Sequence, residues 1–419
     1  MKIIQITASY KPAFIYGGPI QSVGKLCETL SEVVQQKNFD YAQYDKCPAL
    51  EVLTTNANGN EELVVSIGKP VLVEGVKVTY FKRWTKDHSH FSPGLLWGLR
   101  RALRQHIKLN ASLVKSDSSI KINKDQTPNA SLIIHIHAWW NLVSVLSCWL
   151  AKWYKIPVVL SPRGMLTSYT QTNRNSSFKK FLHQLLGKKL LQYCHIHATS
   201  EQEKKDILEI VSPKSITVIP NLVNIQKPVF GSQLAIANDN PPVFRLIFLS
   251  RIEEKKGLEL LFEALSLLEI NWQLTIAGSG KAAYLESLKL KAQNLNLHQR
   301  INWIGQVDNH NKYELMAKHD LLVLTSFNEN FANVVIESLS VGTPVLISNQ
   351  VGLSDYVIDR QLGWVSALEA IDIKATLLRS YEDHQTRHKI RQMATEMINK
   401  DFDDQVLAKR YLKLYDQVV

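Results

Sequence analysis

Short, almost uninterrupted runs of apolar and β-branched residues recur along this 419-residue chain. In the first half they are KIIQIT (2–7), LEVLTT (50–55), VKVTYF (76–81), SLIIHIHA (131–138), IPVVLSPRG (156–164), HIHATS (195–200) and SITVIPN (215–221). Stretches of helical period lie between them, the first near Ile20–Val34. A strand without in/out alternation is buried on both faces, the condition of a parallel sheet covered by helices, so the pattern predicts βαβ units. KPVFGSQLAIANDNPP (227–242) breaks the rhythm with three prolines and no amphipathic period, and reads as a linker. A second series follows with FRLIFLSR (244–251), WQLTIAG (272–278), INWIG (301–305), DLLVLTS (320–326) and TPVLISN (343–349).

The length exceeds what one hydrophobic core usually supports. The expected organisation is therefore α/β: a Rossmann-like domain over 1–226, a linker over 227–242 and a second Rossmann-like domain over 243–402. Two doubly wound parallel sheets facing across a cleft would place ligands at the carboxyl ends of their strands. KNFDYAQYDKCPA (37–49) reads as an irregular insertion.

Composition narrows the class. Hydrophobic residues at 45% and charged residues at 21% exclude a collagenous, disordered or disulfide-dense chain. Cys27, Cys47, Cys148 and Cys194 form no C-x-x-C pair, so buried free thiols are expected and no metal site. MKIIQITASYKP has too short an apolar run for a signal peptide and no transmembrane-length run occurs, which predicts a cytoplasmic chain. The net charge of +11 points to an anionic partner. No nucleic-acid motif accompanies it, which favours phosphate or a membrane surface.

Chemistry concentrates in TSFNENFANVVIESLSVGTPVL (325–346). Glu329 lies in the loop after a strand, Glu337 inside the following helix, and the first-turn amides near Phe331 to Asn333 suit a diphosphate or a sugar hydroxyl. The spacing equally fits a helix with a stray N-terminal acid and one solvated glutamate. In SRIEEKKGLELLFEAL (250–265), Arg251 and Lys256 flank a strand-to-helix turn and would neutralise a leaving diphosphate, or simply pair with Glu253 and Glu254. Gly17 and Gly18 in YGGP permit close backbone approach, as any βα turn does. HIHAWWN (135–141) puts His135 and His137 on one strand face, open to a structural, a sugar-contacting or a metal-binding reading. Gly278 and Gly280 in AGSGKAA make a loose dinucleotide fingerprint better read as a tight turn near a nucleotide base. Two basic amphipathic segments, 93–108 and 176–193, carry Arg100, Arg101, Arg104, Lys179, Lys180, Lys188 and Lys189, fit either for an anionic bilayer or for ordinary packing on the sheet.

These motifs, in this order and together with SPRGML (161–166), HATSEQE (197–203) and PNLVN (220–224), resemble the family-4 retaining glycosyltransferases of the GT-B fold. The resemblance implies a hexose-type sugar moved from a UDP- or GDP-sugar to a saccharide or lipid-linked acceptor of surface polysaccharide synthesis. No metal, cofactor or nucleic acid is implied. Glu329 would contact donor sugar hydroxyls and Glu337 the ribose diol, with Arg251 and Lys256 clamping the diphosphate. Gly17 and Gly18 would approach the phosphates, and His137 the transferred sugar, while Arg163 joins the donor-binding set. Asn330, Phe331, Ala332, Asn333 and Val334 would cradle the donor, and the final segment, 403–419, would pack back on the first domain. Leu222 and Asn224 depart from the family's Pro-Asn-Gly-Val-Asp, and Ala332 stands where glycine is common. The rival readings are a nucleotide-sugar epimerase or hydrolase on the same scaffold, a non-catalytic nucleotide-sugar or saccharide-binding protein, and, third, an NAD-dependent enzyme.

Overall fold

The computed structural model describes residues 1–40, 49–87, 89–116, 132–167, 187–225, 243–309 and 311–419. The predicted linker at 227–242, most of the insertion at 37–49 and residues 176–186 of the second basic segment lie outside them. The chain divides into two compact units, Met1–Leu222 with Asp404–Val419, and Val223–Asp403.

In the first unit the strands are β1 (Lys2–Ile6), β2 (Ala49–Thr55), a hairpin β3 (Ala57–Asn58) and β4 (Glu61–Glu62), β5 (Pro70–Val73), β6 (Val76–Phe81), β7 (Leu132–His137), β8 (Val158–Ser161), β9 (His195–Ala198) and β10 (Ser215–Val218). The sheet runs β10-β9-β8-β7-β1-β2-β6-β5, parallel except for the β5–β6 pair. That antiparallel edge was not read from the sequence. Its signal is the Glu74-Gly75 turn, where both residues have positive φ, 48° and 78°, as a two-residue hairpin requires. The strand order reverses at β1, so the loops after β1 and β7 open side by side at the carboxyl edge.

All six residues of β7, LIIHIH, are buried, as predicted for a two-sided strand. Its alternation sends Ile134 and Ile136 into one core with Leu95, Leu99 and Leu103 of the helix Pro93–Ser116. Those leucines repeat every fourth residue, which aligns them on one helix face. The other face of the sheet carries Tyr10, Val52, Val76, Val78 and Tyr80 against Val23 and Cys27 of the helix Gly18–Asp40, a helix longer than the sequence period indicated. The terminal helix, Asp404–Val418, lies on this side too, with Lys25 and Asp404 paired at 2.7 Å. It buries Tyr411 and Tyr415 almost completely.

The second unit contains β11 (Phe244–Leu249), β12 (Trp272–Ala277), β13 (Ile301–Gly305), β14 (Leu321–Leu324), β15 (Val345–Ser348) and β16 (Gly363–Ser366). They form an all-parallel sheet in the order β13-β12-β11-β14-β15-β16. Here the reversal falls between β11 and β14. The loops that follow these two strands, 250–257 and 325–332, are therefore neighbours, although about seventy residues separate them in sequence.

Hydrogen bonds clasp those loops together. Phe327 N donates to Lys255 O at 2.8 Å, and Thr325 Oγ1 donates to Gly257 O at 2.9 Å. Gly257 sits at φ 69°, and a Cβ there would stand 2.1 Å from Thr325 O. Gly257→Ala is accordingly expected to cost about 1–3 kcal/mol, read as a lower midpoint in chemical denaturation. An unchanged midpoint would contradict the clasp.

Candidate functional site

The topology of the second unit decides which of its ionisable side chains meet. Lys256, at the end of a short helical turn (Glu254–Lys256), is 6% exposed, and its ammonium forms an ion pair with the carboxylate of Glu329 from the neighbouring loop. Burial by itself pushes the Glu329 carboxyl upward, but Lys256, helped by Lys255 and Arg251, outweighs it and holds the acid below the usual range. Arg251 is half exposed and pairs with Glu253 at 2.7 Å. The cations that the sequence singled out thus divide their partners: one takes the loop acid, the other a neighbour in its own turn. A dianionic phosphate reaching these loops would meet two cations whose present partners are carboxylates it can displace or bridge.

Glu337 projects from the helix Asn333–Ser340 and is 4% exposed. It pairs with Lys312 of the helix Asn311–Ala317 at 2.7 Å, with both side chains almost wholly buried. Sequence reading missed Lys312, because nothing in DNHNKYELM marks one lysine as buried. A buried carboxylate nevertheless demands a buried counter-charge, and that is the signal that would have found it.

Ala332 is the N-cap of the helix Asn333–Ser340 and provides no side-chain cap. Its φ of 68° and ψ of 75° lie in the left-handed region, where a side chain costs roughly 1–2 kcal/mol and glycine is the natural occupant. Phe331 is buried against Phe402, their rings 6.2 Å apart and near perpendicular. Asn330, Asn333 and Val334 flank this turn, which places the first-turn amides of the helix beside the loop that holds Glu329. Gly278 and Gly280 have a packing reason of their own. A Cβ on Gly278 would lie 1.9 Å from Ser250 O, and one on Gly280 2.3 Å from Ile252 O, so the glycines let the loop after β12 close onto the loop that carries Arg251.

In the first unit, Gly17 follows a short helical turn (Phe14–Tyr16) at φ 71°, and Gly18 opens the helix Gly18–Asp40. His137 ends β7 with its imidazole enclosed, the residue being 1% exposed. Its Nε2 lies 2.8 Å from Gln5 Oε1, and its Nδ1 lies 3.4 Å from Arg163 Nε. Burial first, then the nearby His135, Arg163 and His197, hold it far below the normal histidine range, so it is neutral. Arg163 is only half buried and sits at φ 54° just past β8. It donates to Ser22 Oγ at 2.9 Å and to Asn221 Oδ1 at 3.0 Å, which gives PNLVN a role the sequence did not reveal.

The loop bearing Arg163 is tied down by Glu203. Ser200 caps the helix Glu201–Ile210, and the buried Glu203 carboxylate reaches back to accept from Thr199 N, Thr199 Oγ1 and Gly164 N. HATSEQE is thus a capping segment that also anchors SPRGML. On the outer surface of the helix Pro93–Ser116, Arg100, Arg101, Arg104 and Lys108 line a shallow recess with Trp97, which is 70% exposed. Trp149 and Trp153 are exposed on the helix Leu142–Trp153, and Lys188 and Lys189 lie on the short helix Lys188–Leu191. Cys27, Cys148 and Cys194 are buried free thiols. No helix among the described residues is long and apolar enough to cross a membrane.

Comparison with known proteins matches these features to a family. The family model described as Glycosyltransferase Family 4 matches residues 49–227, and that described as Glycosyl transferases group 1 matches residues 233–397. A glycogen synthase of Mycobacterium tuberculosis (strain CDC 1551 / Oshkosh) is 23% identical over 426 residues, covering 99% of this chain and 94% of that protein. The N,N'-diacetylbacillosaminyl-diphospho-undecaprenol alpha-1,3-N-acetylgalactosaminyltransferase of Campylobacter jejuni is 23% identical over 289 residues, 64% of this chain and 73% of that protein. Among solved structures, Anabaena Alr3699/HepE in complex with UDP and glucose superposes with a TM-score of 0.70 at 17% identity, over the whole of both chains. WaaG, a glycosyltransferase involved in lipopolysaccharide biosynthesis, gives 0.64 at 14% identity over 98% of this chain and 99% of that one. Identities this low speak for the fold alone, and that fold is GT-B.

The Lys312–Glu337 pair generates a stability test. Lys312→Met leaves a buried carboxylate unpaired and is expected to destabilise by about 3–5 kcal/mol, while Lys312→Met combined with Glu337→Gln recovers most of the loss. Equal damage in the single and double variants would show that the two charges do not compensate each other.

Proposed function

The chain belongs to the group 1 glycosyltransferases, and from that premise we propose that it moves a hexose-type sugar from a UDP- or GDP-sugar with retention of configuration. The acceptor in this reading is a saccharide or a lipid-linked oligosaccharide of surface polysaccharide assembly. One observation carries the reading. Lys256 and Glu329 are brought together where the strand order of the second sheet reverses, with Arg251 in the same loop as the lysine. Ligands of open parallel sheets bind at such reversals.

In the proposed reaction the bond between the anomeric carbon and the β-phosphate oxygen breaks. A bond from the acceptor oxygen forms on the same face, and the acceptor proton passes to the departing phosphate oxygen. Arg251 and Lys256 stabilise the charge growing on the diphosphate, so the cations come from the protein and the reading requires no metal. Glu329 accepts from sugar hydroxyls and Glu337 from the ribose diol, with the amides of Asn330 to Val334 and the turn at Gly278 and Gly280 shaping the donor site. Gly17, Gly18 and Arg163 of the first unit contribute to donor binding, and His137 enters through the guanidinium it faces. UDP as the nucleotide is supported by the ligand of the Anabaena structure, and a lipid-linked acceptor by the name of the Campylobacter relative.

A screen of UDP- and GDP-sugars by thermal shift, followed by turnover with saccharide and polyprenyl-diphosphate acceptors, tests this reading. Transfer should retain the anomeric configuration by NMR and persist in EDTA. Arg251→Ala should lower kcat about a hundredfold or more. Near-normal transfer in that variant removes the clamp from the account. Nucleotide release or sugar isomerisation from donor alone would favour the epimerase or hydrolase reading instead.

The reading places the enzyme in the cytoplasm, peripheral at the inner face of the plasma membrane. The exposed Trp97, in one recess with Arg100, Arg101, Arg104 and Lys108, supports the membrane surface, since aromatic rings and cations together suit an anionic headgroup layer. Co-sedimentation with vesicles containing phosphatidylglycerol should be salt-sensitive and should weaken in Trp97→Ala/Arg101→Glu. Equal recovery with neutral phosphatidylcholine vesicles would contradict the membrane surface.

A further inference from the structure

The sheet face that meets the terminal helix holds three histidines, His135, His137 and His197, all buried. They belong to one continuous run of hydrogen bonds. Arg163 Nε faces His137 Nδ1 at 3.4 Å, and His137 Nε2 faces Gln5 Oε1 at 2.8 Å. Gln5 Nε2 donates to Tyr415 OH at 3.1 Å, and that hydroxyl lies 2.7 Å from His135 Nδ1. His135 Nε2 then meets Ser161 Oγ at 2.6 Å, Ser161 Oγ meets His197 Nδ1 at 2.6 Å, and His197 Nε2 meets the carbonyl of Ile219 at 2.8 Å.

The two ends of this run admit one proton arrangement. An arginine only donates, and a backbone carbonyl only accepts. His197 must therefore carry its proton on Nε2 and accept from Ser161 on Nδ1. Ser161 then accepts from His135 Nε2–H, His135 Nδ1 accepts from Tyr415, Tyr415 accepts from Gln5, and Gln5 accepts from His137 Nε2–H. His137 Nδ1 is left as a lone pair, the acceptor that Arg163 requires. Reversing the Gln5 amide would turn every link and set a bare His197 Nε2 against the Ile219 carbonyl, as well as an N–H of His137 against a guanidinium. Tyr411 OH, 3.0 Å from His197 Nε2, leaves the direction unchanged by accepting from the same N–H.

We propose that Gln5 and Tyr415 are positioning residues for Arg163, acting through His137: the terminal helix fixes the His137 tautomer, and the tautomer aims the guanidinium. This rests on the reading of Arg163 as part of the donor-binding set. The titratable groups facing the run are His135 on β7 and His197 on β9, Arg163, Tyr411, Tyr415 and Arg410 from the terminal helix, Cys27 from the helix Gly18–Asp40 and Glu203 from the helix Glu201–Ile210. Burial keeps all three imidazoles neutral, with His197 pushed down to about 3.

The test has a spectroscopic arm and a kinetic arm. In the wild-type chain, imidazole nitrogen NMR should show His135, His137 and His197 as neutral Nε2–H tautomers that do not titrate between about pH 5 and 8. Tyr415→Phe frees the Gln5 amide, and Gln5→Glu draws a proton onto His137, which then sets Nδ1–H against Arg163. With whichever UDP- or GDP-sugar the wild type turns over, Tyr415→Phe should lower kcat between about tenfold and a hundredfold and weaken the binding of free UDP or GDP. Gln5→Glu should lose activity as pH falls, following a His137 titration that the wild type lacks. Tyr193→Phe, which removes the hydrogen bond to the Ile156 carbonyl outside this run, should lower the melting temperature but keep kcat. An Nδ1–H tautomer at His137 in the wild type overturns the proposal, as does an equal kcat loss in Tyr193→Phe and Tyr415→Phe. Wild-type kcat and pH profile in both Tyr415→Phe and Gln5→Glu also overturn it. A wild-type chain that turns over no donor defeats the transferase reading, and with it the catalytic consequence, while the spectrum still decides the tautomers.

Discussion

An ammonium and a carboxylate withdrawn from water together, Lys256 with Glu329, are the interaction on which the second unit's arrangement turns. The buried lysine charge is costly alone, and the partly open carboxylate offsets that cost. Their meeting requires the strand order to reverse between β11 and β14, the loops to close on a glycine at position 257, and the next loop to close on glycines at 278 and 280. Backbone packing and charge placement are thus one construction. A few steps along the sheet the same logic recurs with Lys312 and Glu337.

The first unit handles buried polarity differently. Its face toward the terminal helix contains three imidazoles, an amide and two phenols, and neutrality there is secured by complementary donors and acceptors rather than by opposite charge. Arg163 brings a full charge to this cluster's edge, and it remains partly open to solvent. A cation set at the edge of a neutral network, in the first unit, and cations balanced by carboxylates, in the second, are two different ways of accommodating positive charge.

Much of this was legible in the sequence. Continuous β-branched runs located most strands, since burial on both faces leaves that mark on each strand separately. The edge strand β5 and the final strand β16 escaped because an edge has only one buried face and a four-residue strand opening with Gly363 has little periodicity. Glu329 and Lys256 were marked individually, but their pairing depends on strand order, which no local window contains. Lys312 was invisible for the same reason. HIHAWWN leaves His137 open to a structural, a sugar-contacting or a metal-binding reading, and the structure buries it. That both its nitrogens are already engaged follows from Gln5 and Arg163, which lie far away in sequence. Ala332 was noted as a departure, and its left-handed backbone explains why glycine suits that position.

The central claim is that the loops after β11 and β14 hold a pyrophosphate. Calorimetric titration of the chain with UDP and uridine, and with GDP and guanosine, measures that most directly. The account predicts that one diphosphate binds at least about tenfold more tightly than its nucleoside, and that Lys256→Met erases the difference while leaving the nucleoside affinity in place. Equal binding of nucleoside and diphosphate, or a difference that survives Lys256→Met and Arg251→Ala together, would contradict it.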